Sequence, residues 1–269
     1  MEGEALRRHL GLVFIHGAGK EPSGYYRGFL EGLLRQLGAE PAILPAWWGD
    51  LCNLGSEVKG GPGAVSLSKE AEDFRRAYLR ELGVGARGHR EGAGGGHVRS
   101  VGGTLVSLAD TANDVVQYFF NPRLRAAVQA RLVEQLARAR DGFDQCILVS
   151  HSLGTVIAYD VLRQRGTEFN LHTWFTTGSP LARLARLGRV TTDLGEITSG
   201  ALFAWQNVYD ATDVVASPLA PMFGFPLKDI QVDNGQGIMN SHNYWGNAAV
   251  AGLVAEEVKK RYLRIPLQS

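Results

Sequence analysis

Residues 147–160 read ILVSHSLGTVIAYD, an apolar run followed at once by a second apolar run with helical spacing. This pattern predicts a buried strand that passes directly into a helix. Ser150 and Gly154 are small residues placed two before and two after Ser152, as a sharp strand-to-helix turn requires, because the two backbones pass close together. Two interpretations remain open for this turn. It is either an ordinary polar turn or a strained turn that presents the Ser152 hydroxyl as a nucleophile.

Strand and helix patterns alternate on both sides of this stretch. Apolar, β-branched runs predict strands at 12–15, 42–44, 145–149, 171–177, 202–208 and 229–232. Helical periodicity predicts helices at 25–37, 68–82, 104–120, 122–140, 155–163 and 244–261. Such alternation predicts an α/β protein with a doubly wound, mostly parallel sheet in a single domain, 1–269.

The alternation is interrupted between about residues 47 and 121. This stretch contains two of the predicted helices and a glycine-dense segment, and no strand of the main sheet is expected in it. We interpret residues 47–121 as a cap or lid inserted over one end of the sheet. Trp47 and Trp48 stand at its start, and they either line a pocket or pack beneath the cap.

The composition excludes several classes of protein. The chain has 269 residues, 45% of them hydrophobic, and a formal net charge of +1. A nearly neutral chain offers no basic surface for nucleic acid or for an acidic membrane, so no nucleic-acid partner is expected. The amino-terminal stretch lacks the apolar core of a secretion signal, and no apolar run reaches the roughly 20 residues that cross a bilayer. We therefore expect a cytoplasmic protein without an integral membrane segment.

The sequence also gives no sign of a metal or a nucleotide cofactor. The two cysteines, Cys52 and Cys146, are too few for a disulfide framework, and no His, Cys and Asp cluster has the spacing of metal ligands. The GVGARG stretch at 83–88 follows a predicted helix rather than a strand, which argues against a dinucleotide site. The GAGK stretch at 17–20 lacks the remaining residues of a phosphate loop.

A nucleophilic serine needs a base and a carboxylate, and both types of residue follow Ser152 in the chain. His242 precedes the final predicted helix, although a histidine in such a place is more often a cap or a surface residue. Asp210 and Asp213 follow the predicted strand 202–208. We favour Asp213, because Val-Val and then Pro218 carry the chain out of the strand end, while Asp210 could brace that turn.

Attack on a carbonyl also needs donors for the negative charge that develops on its oxygen. The backbone N–H of Leu153, at the start of the helix after Ser152, is one candidate. The second is the backbone N–H of Ala18, in the His-Gly-Ala-Gly turn that follows the first strand. The alternative for Gly17 and Gly19 is a tight turn without any chemical role.

Together these features resemble the α/β-hydrolase superfamily, on its lipase and esterase side. The resemblance rests on HGAG at 16–19, SHSLG at 150–154, TTGSPL at 176–181, the segment DVVASP at 213–218, and SHNYW at 241–245. It covers the chain from about residue 12 to the last helix, apart from 47–121. Ser150 departs from the family pattern, which usually has glycine there. The resemblance implies a Ser-His-Asp hydrolase without a cofactor.

We therefore expect an enzyme that cleaves a small-molecule carboxylic ester with an apolar acyl or alcohol part. Ser152 would be the nucleophile, His242 the base and Asp213 the residue that orients it. A thioesterase or an acyltransferase using the same three residues is the alternative enzyme. A non-catalytic binding protein that keeps the fold is the alternative of a different class.

Overall fold

The structure is a computed structural model that describes residues 10–18, 22–38, 41–51, 67–84, 97–99, 105–197, 204–224, 227–235 and 237–262. Its strands are β1 (Leu10–Ile15), β2 (Ala42–Ala46), β3 (His97–Arg99), β4 (Leu105–Ser107), β5 (Gln145–His151), β6 (Leu171–Thr177), β7 (Ala204–Asp210) and β8 (Leu227–Val232). Its helices are α1 (Arg27–Leu37), α2 (Lys69–Glu81), α3 (Leu108–Phe120), α4 (Pro122–Gly142), α5 (Leu153–Arg165), α6 (Leu181–Arg186), α7 (Ala220–Phe223), α8 (Ile238–Ser241) and α9 (Ala248–Tyr262).

Six of these strands form one sheet in the order β2-β1-β5-β6-β7-β8. Every neighbouring pair in this sheet is parallel. Each parallel connection needs a crossover, and the helices between the strands supply it. The predicted α/β class with a parallel sheet is confirmed.

Helices cover both faces of the sheet, which is why its central strands are apolar on both sides. All six residues of β1 are buried. Leu12 and Phe14 pack with α1 and α9 on one face, whereas Val13 and Ile15 belong to the larger core formed with α2 to α6 on the other. Cys146, in β5, is a buried free thiol, and Cys52 lies outside the described residues.

Several local signals in the sequence identify element ends. Gly38 adopts φ +67° after α1, and its N–H donates to the Leu34 carbonyl. Pro122 begins α4, and the Asn121 side chain accepts from the Leu124 N–H. In contrast, the strand predicted at 42–44 does not end before Pro45. It continues through Pro45 to Ala46. This strand is at the edge of the sheet, where a residue without an N–H is tolerated.

The prediction for 104–120 was wrong at its beginning. Residues 105–107 form a strand, β4, which pairs antiparallel with β3 in a separate two-stranded sheet, and the helix begins at Leu108. The helical spacing of apolar residues does not indicate whether a segment pairs with another strand, so it did not predict β4. Within the described part of the stretch between β2 and β5, no residue belongs to the main sheet. Most of the glycine-dense segment at 83–103 lies outside the described residues.

The helices α2 and α3 are held to the rest of the protein by polar contacts. The Tyr118 hydroxyl of α3 donates to Asp160 Oδ2 of α5 at 2.7 Å, and Arg125 donates to the same oxygen. At the end of α2, Arg183 Nη1 donates to the Glu81 carbonyl at 2.7 Å. Among the described residues, no helix is both long and apolar enough to span a membrane.

Two buried tyrosines on these helices form a matched pair for measuring stability. Among the described residues, the Tyr78 hydroxyl has no hydrogen-bond partner, while the Tyr118 hydroxyl donates to Asp160 and accepts from Gln129. Tyr118→Phe should lower the free energy of unfolding by about 1–3 kcal/mol, because it removes a hydrogen bond to the partly buried carboxylate of Asp160. Tyr78→Phe should leave that free energy unchanged or raise it. Urea unfolding of both variants tests this, and an equal loss in both would contradict it.

Candidate functional site

The side chains predicted for the site lie at the carboxyl end of the parallel sheet. The chain runs from β1 outward to β2 and later returns on the other side of β1 as β5. The order of the strands therefore reverses between β1 and β5. In open parallel sheets, a ligand crevice forms outside the carboxyl ends of the strands at such a reversal. Gly17 follows β1 and Ser152 follows β5, so both lie at this point.

Ser152 lies in a sharp turn between β5 and α5. Its backbone has φ 52° and ψ −126°, and it is the only described residue other than glycine with a positive φ. This conformation is strained for a residue with a side chain. It is held by the Ser152 N–H, which donates to the Thr177 carbonyl at 2.9 Å, and by the Ser152 carbonyl, which accepts from the Thr155 hydroxyl at 2.7 Å. A strained strand-to-helix turn of this kind is the backbone geometry of a nucleophile elbow, and here Ser152 is 3% exposed.

Two glycines allow the end of β1 to approach this turn. A Cβ on Gly154 would lie 2.4 Å from the His16 carbonyl oxygen, and a Cβ on Gly17 would lie 2.5 Å from Ser152 Cβ. Neither distance is compatible with a side chain unless the backbone moves. A small residue is therefore needed at position 154, as the sequence suggested, because this position contacts the end of β1.

The structure brings Asp213 and His242 together. His242 Nδ1 lies 2.7 Å from Asp213 Oδ2, although the two residues follow different strands. A carboxylate can only accept, so Nδ1 carries a proton and Nε2 of a neutral ring is left as an acceptor. The His242 side chain is 15% exposed and that of Asp213 is 1% exposed, so the pair is largely shielded from water.

The Asp213 carboxylate is ionised because its partners outweigh its burial. Burial raises the pKa of this carboxyl, but His242, the Val215 N–H and the Tyr244 hydroxyl together hold it below its usual value. The Val215 N–H donates to Oδ1 at 2.8 Å, and the Tyr244 hydroxyl donates to Oδ2 at 3.0 Å. Three donors therefore fix both oxygens of the carboxylate.

Asp210 makes contacts of a different kind. Its carboxylate accepts from the N–H and the hydroxyl of Thr212, both at 2.7 Å, and from the Asn234 N–H at 2.6 Å. These bonds close the turn after β7 and tie it to the segment after β8. Asp210 therefore braces the turn, and it is Asp213 that contacts His242.

Gly178, at the end of β6, makes room for the His242 ring. It has φ +62°, and a Cβ at this position would lie 2.8 Å from both His242 Cε1 and Tyr244 Cε2. Its neighbour Thr177 accepts from the Ser152 N–H, so the histidine and the serine flank the same strand end. The hydrogen bonds of the described residues do not include one between the Ser152 hydroxyl and the His242 ring.

His16 and Trp48 shape the turn after β1, a role that the sequence did not indicate. His16 is fully buried, and its ring is stacked on that of Trp48, with centroids 4.7 Å apart. His16 Nδ1 donates to the Gly17 carbonyl at 3.0 Å, and Nε2 accepts from the Trp48 N–H at 3.1 Å. Burial lowers the pKa of His16 to about 3, so the ring is neutral. Trp48 packs in the core, whereas Trp47 is half-buried.

Ser150, two residues before Ser152, makes its side-chain contacts with β6. Its hydroxyl donates to the Phe175 carbonyl at 3.0 Å and accepts from Trp174 Nε1 at 2.8 Å. These bonds satisfy a buried hydroxyl and join β5 to β6. The departure from glycine therefore has a structural explanation.

The two backbone N–H groups predicted to stabilise a negative charge, those of Leu153 and Ala18, belong to the two turns that meet at Ser152. Leu153 is the first residue of α5, and the N–H groups of the first turn have no acceptor within their own helix. Ala18 directly follows Gly17 and packs partly against the core. Gly19, the last residue of the His-Gly-Ala-Gly turn, lies outside the described residues.

Tyr244 and His151 complete the surroundings of His242, and both were overlooked in the sequence. Tyr244 is buried, and its hydroxyl also accepts from the Asp210 N–H at 2.8 Å. The ring centroids of His151 and His242 are 4.8 Å apart. Their positions inside the SHNYW and SHSLG stretches were the only available signal. In the described residues, no group of three or more His, Cys, Asp or Glu side chains could hold a metal ion.

Gly154→Ala should lower the free energy of unfolding by about 1–3 kcal/mol or more, because the new methyl group meets the His16 carbonyl rather than a movable side chain. Gly28→Ala is the matched control. Gly28 is exposed in α1 with nothing within 4 Å of its would-be Cβ, so alanine should stabilise the protein by about 0.5–1 kcal/mol. Chemical denaturation measures both changes. Equal effects of the two substitutions would show that the β1 contact is not tight.

The buried neutral His16 predicts a loss of stability in acid. The unfolded chain takes up a proton near the ordinary pKa of 6.5, whereas the folded protein does so only at about 3. Between these values the unfolded state binds more protons, so stability falls as the pH falls. His16 should contribute about 1.4 kcal/mol per pH unit to this slope. We expect His16→Gln to have a correspondingly shallower slope in denaturant titrations between about pH 4 and 5.5, and parallel slopes would refute this account.

Comparisons with known proteins do not assign this chain to a family. No protein-family model and no curated protein matches the chain. Among solved structures, a periplasmic sugar-binding protein from Pseudomonas fluorescens aligns with 67% of this chain and 73% of its own, at 14% identity. The TM-score of that alignment is 0.16, which is too low to support a relationship.

Proposed function

We propose that this protein is a serine hydrolase of the α/β-hydrolase type that cleaves carboxylic esters through an acyl-enzyme. The observation that carries the proposal is the 2.7 Å contact between Asp213 and His242 at the sheet edge where Ser152 occupies a strained turn. A base oriented by a buried carboxylate, next to a serine held in this conformation, is the arrangement that activates a hydroxyl.

The order of the three residues supports the same proposal. Ser152 follows β5, Asp213 follows β7, and His242 follows β8. Serine, then acid, then histidine is the chain order of α/β-hydrolases, and it differs from the orders in the chymotrypsin and subtilisin folds. The six-stranded parallel sheet with helices on both faces is consistent with such a fold.

In the proposed reaction, the Ser152 oxygen attacks the ester carbonyl while His242 Nε2 takes the serine proton. The His242 imidazolium, stabilised by the Asp213 carboxylate, then gives the proton to the leaving alcohol. Water attacks the resulting acyl-enzyme by the same route. Proton transfer requires the hydroxyl and Nε2 to come within hydrogen-bond distance, and such contacts often tighten only when substrate binds.

Two backbone N–H groups are proposed to stabilise the carbonyl oxygen as it becomes negative. The Leu153 N–H stands at the amino end of α5, where the helix dipole also favours a negative charge. The Ala18 N–H is placed by Gly17, which lies against Ser152. The neutral His16 ring fixes the Gly17 carbonyl, so this turn is ordered before substrate arrives.

We propose that the ester carries an apolar acyl or alcohol part. Val214, directly after Asp213, is only partly buried, so it presents an apolar surface beside Asp213, whereas Val215 belongs to the core. A thioesterase or acyltransferase would use the same three residues, so the leaving group and the acceptor distinguish these activities.

Hydrolysis of a nitrophenyl ester series of increasing acyl length tests the proposal. The wild type should show a clear optimum of length, and Ser152→Ala should reduce kcat by about 10³-fold or more while the protein stays folded. A fluorophosphonate should label the wild type at Ser152. Undiminished turnover in Ser152→Ala would refute the assignment of the nucleophile.

The two aspartates supply an internal control in the same assay. Asp213→Asn should lower kcat by about 10³-fold or more, because the amide does not hold His242 in the required tautomer. Asp210→Asn alters only the brace of the turn, so its loss should appear mainly in thermal stability. The reverse pattern would assign the acid to Asp210.

Adding thioesters and competing alcohols separates the alternatives. Faster cleavage of thioesters, or transfer of the acyl group to an added alcohol in preference to water, would identify a thioesterase or an acyltransferase. A folded wild-type protein that neither hydrolyses esters nor reacts with the fluorophosphonate would instead be a binding protein.

A further inference from the structure

His151 connects the segment that carries Ser152 to the residue His242. It is the last residue of β5 and directly precedes Ser152. Its Nε2 lies 3.2 Å from the main-chain carbonyl oxygen of His242. One hydrogen bond therefore spans from the neighbour of the serine to the backbone of the histidine.

The direction of this bond determines the state of the His151 ring. A carbonyl oxygen can only accept, so His151 Nε2 must carry the proton and donate it. Burial, aided by the nearby His242, lowers the pKa of His151 to about 3. The ring is consequently neutral near pH 7 and acts as a fixed donor there.

The His151 ring is also confined by its neighbours. Its centroid lies 4.8 Å from that of His242, 5.6 Å from that of Trp245 and 5.9 Å from that of Tyr244. A ring packed among three others has few alternative rotamers. The donor is therefore held at a nearly constant position relative to the backbone of β5.

Other contacts hold a different part of His242. Asp213 binds the Nδ1 atom of its ring, and Asn234 Nδ2 donates to the carbonyl of the preceding residue, Ser241, at 2.7 Å. Both of these partners follow strands other than β5. Neither of them fixes His242 relative to Ser152, whereas a donor on β5 does so directly.

We propose that His151 is a positioning residue that sets the distance between Ser152 and His242 by holding the His242 carbonyl. This inference rests on the proposed function, because it assigns His151 a purpose only if His242 takes the serine proton. Its effect should appear in the chemical step rather than in substrate binding, since His151 acts through the backbone of His242.

Two substitutions separate the hydrogen bond from the packing of the ring. His151→Phe keeps an aromatic ring among its neighbours and removes the donor, while His151→Gln offers an amide N–H at a similar reach. We expect His151→Phe to lower kcat on the best nitrophenyl ester by about tenfold with KM within about twofold, because small misplacements of reacting groups are costly. His151→Gln should recover most of that loss.

The rate of fluorophosphonate labelling provides a second readout that does not depend on the choice of ester. It should fall in His151→Phe by the same factor as kcat and recover in His151→Gln, with thermal unfolding confirming that all proteins are folded. An unchanged kcat and labelling rate in His151→Phe would overturn the inference. Equal impairment of the two variants would do so as well, because the ring packing would then be responsible.

The same measurements distinguish a failure of this inference from a failure of the proposed function. If the wild type is labelled but cleaves no carboxylic ester, the substrate proposal is wrong and the labelling rates still decide the role of His151. If the folded wild type is not labelled at all, Ser152 is not an activated nucleophile, and both proposals are overturned.

Discussion

The site depends on the close approach of two backbones, the end of β1 and the first turn of α5. Gly154 lies so near the His16 carbonyl that even a methyl group would collide with it. This approach places the turn after β1 against Ser152, on the side opposite to Asp213 and His242. The positive φ of Ser152 is held in addition by the hydrogen bonds of its backbone to Thr177 and Thr155. The packing and the hydrogen bonds around Ser152 together stabilise its strained backbone conformation.

The site contains three histidines, and their surroundings give them different properties. His16 is buried and His151 is partly buried among aromatic rings. Both donate to main-chain carbonyls, and loss of hydration lowers the pKa of each to about 3. The His242 ring instead donates through Nδ1 to the Asp213 carboxylate, at 2.7 Å. The neutral rings of His16 and His151 therefore brace the backbone, whereas the His242 ring is held by a side chain.

The sequence predicted what depends on local patterns and on chain order. Alternating apolar runs predicted the strands of the parallel sheet, and the spacing around Ser152 predicted its sharp turn. It did not predict contacts between distant segments, such as Trp48 on His16, because no local periodicity reports a pairing across 32 residues. The β3–β4 pair was missed for a different reason, because residues 104–120 were taken as one continuous helical pattern. Tyr244 was overlooked because a tyrosine near a histidine is ordinary in sequence, and only the fold directs its hydroxyl to Asp213.

Helix α2 is bonded to the residues that hold Asp213. Arg183 donates through Nη1 to the Glu81 carbonyl of α2 and through Nε to the Val215 carbonyl at 3.0 Å. Val215 in turn donates to Asp213, so two steps of bonding join α2 to the acid. The Arg183 side chain is only 18% exposed, so these bonds are partly protected from water. Any movement of α2 as a lid would have to break a half-buried arginine away from a carbonyl beside Asp213. We therefore expect α2 to stay fixed relative to Asp213.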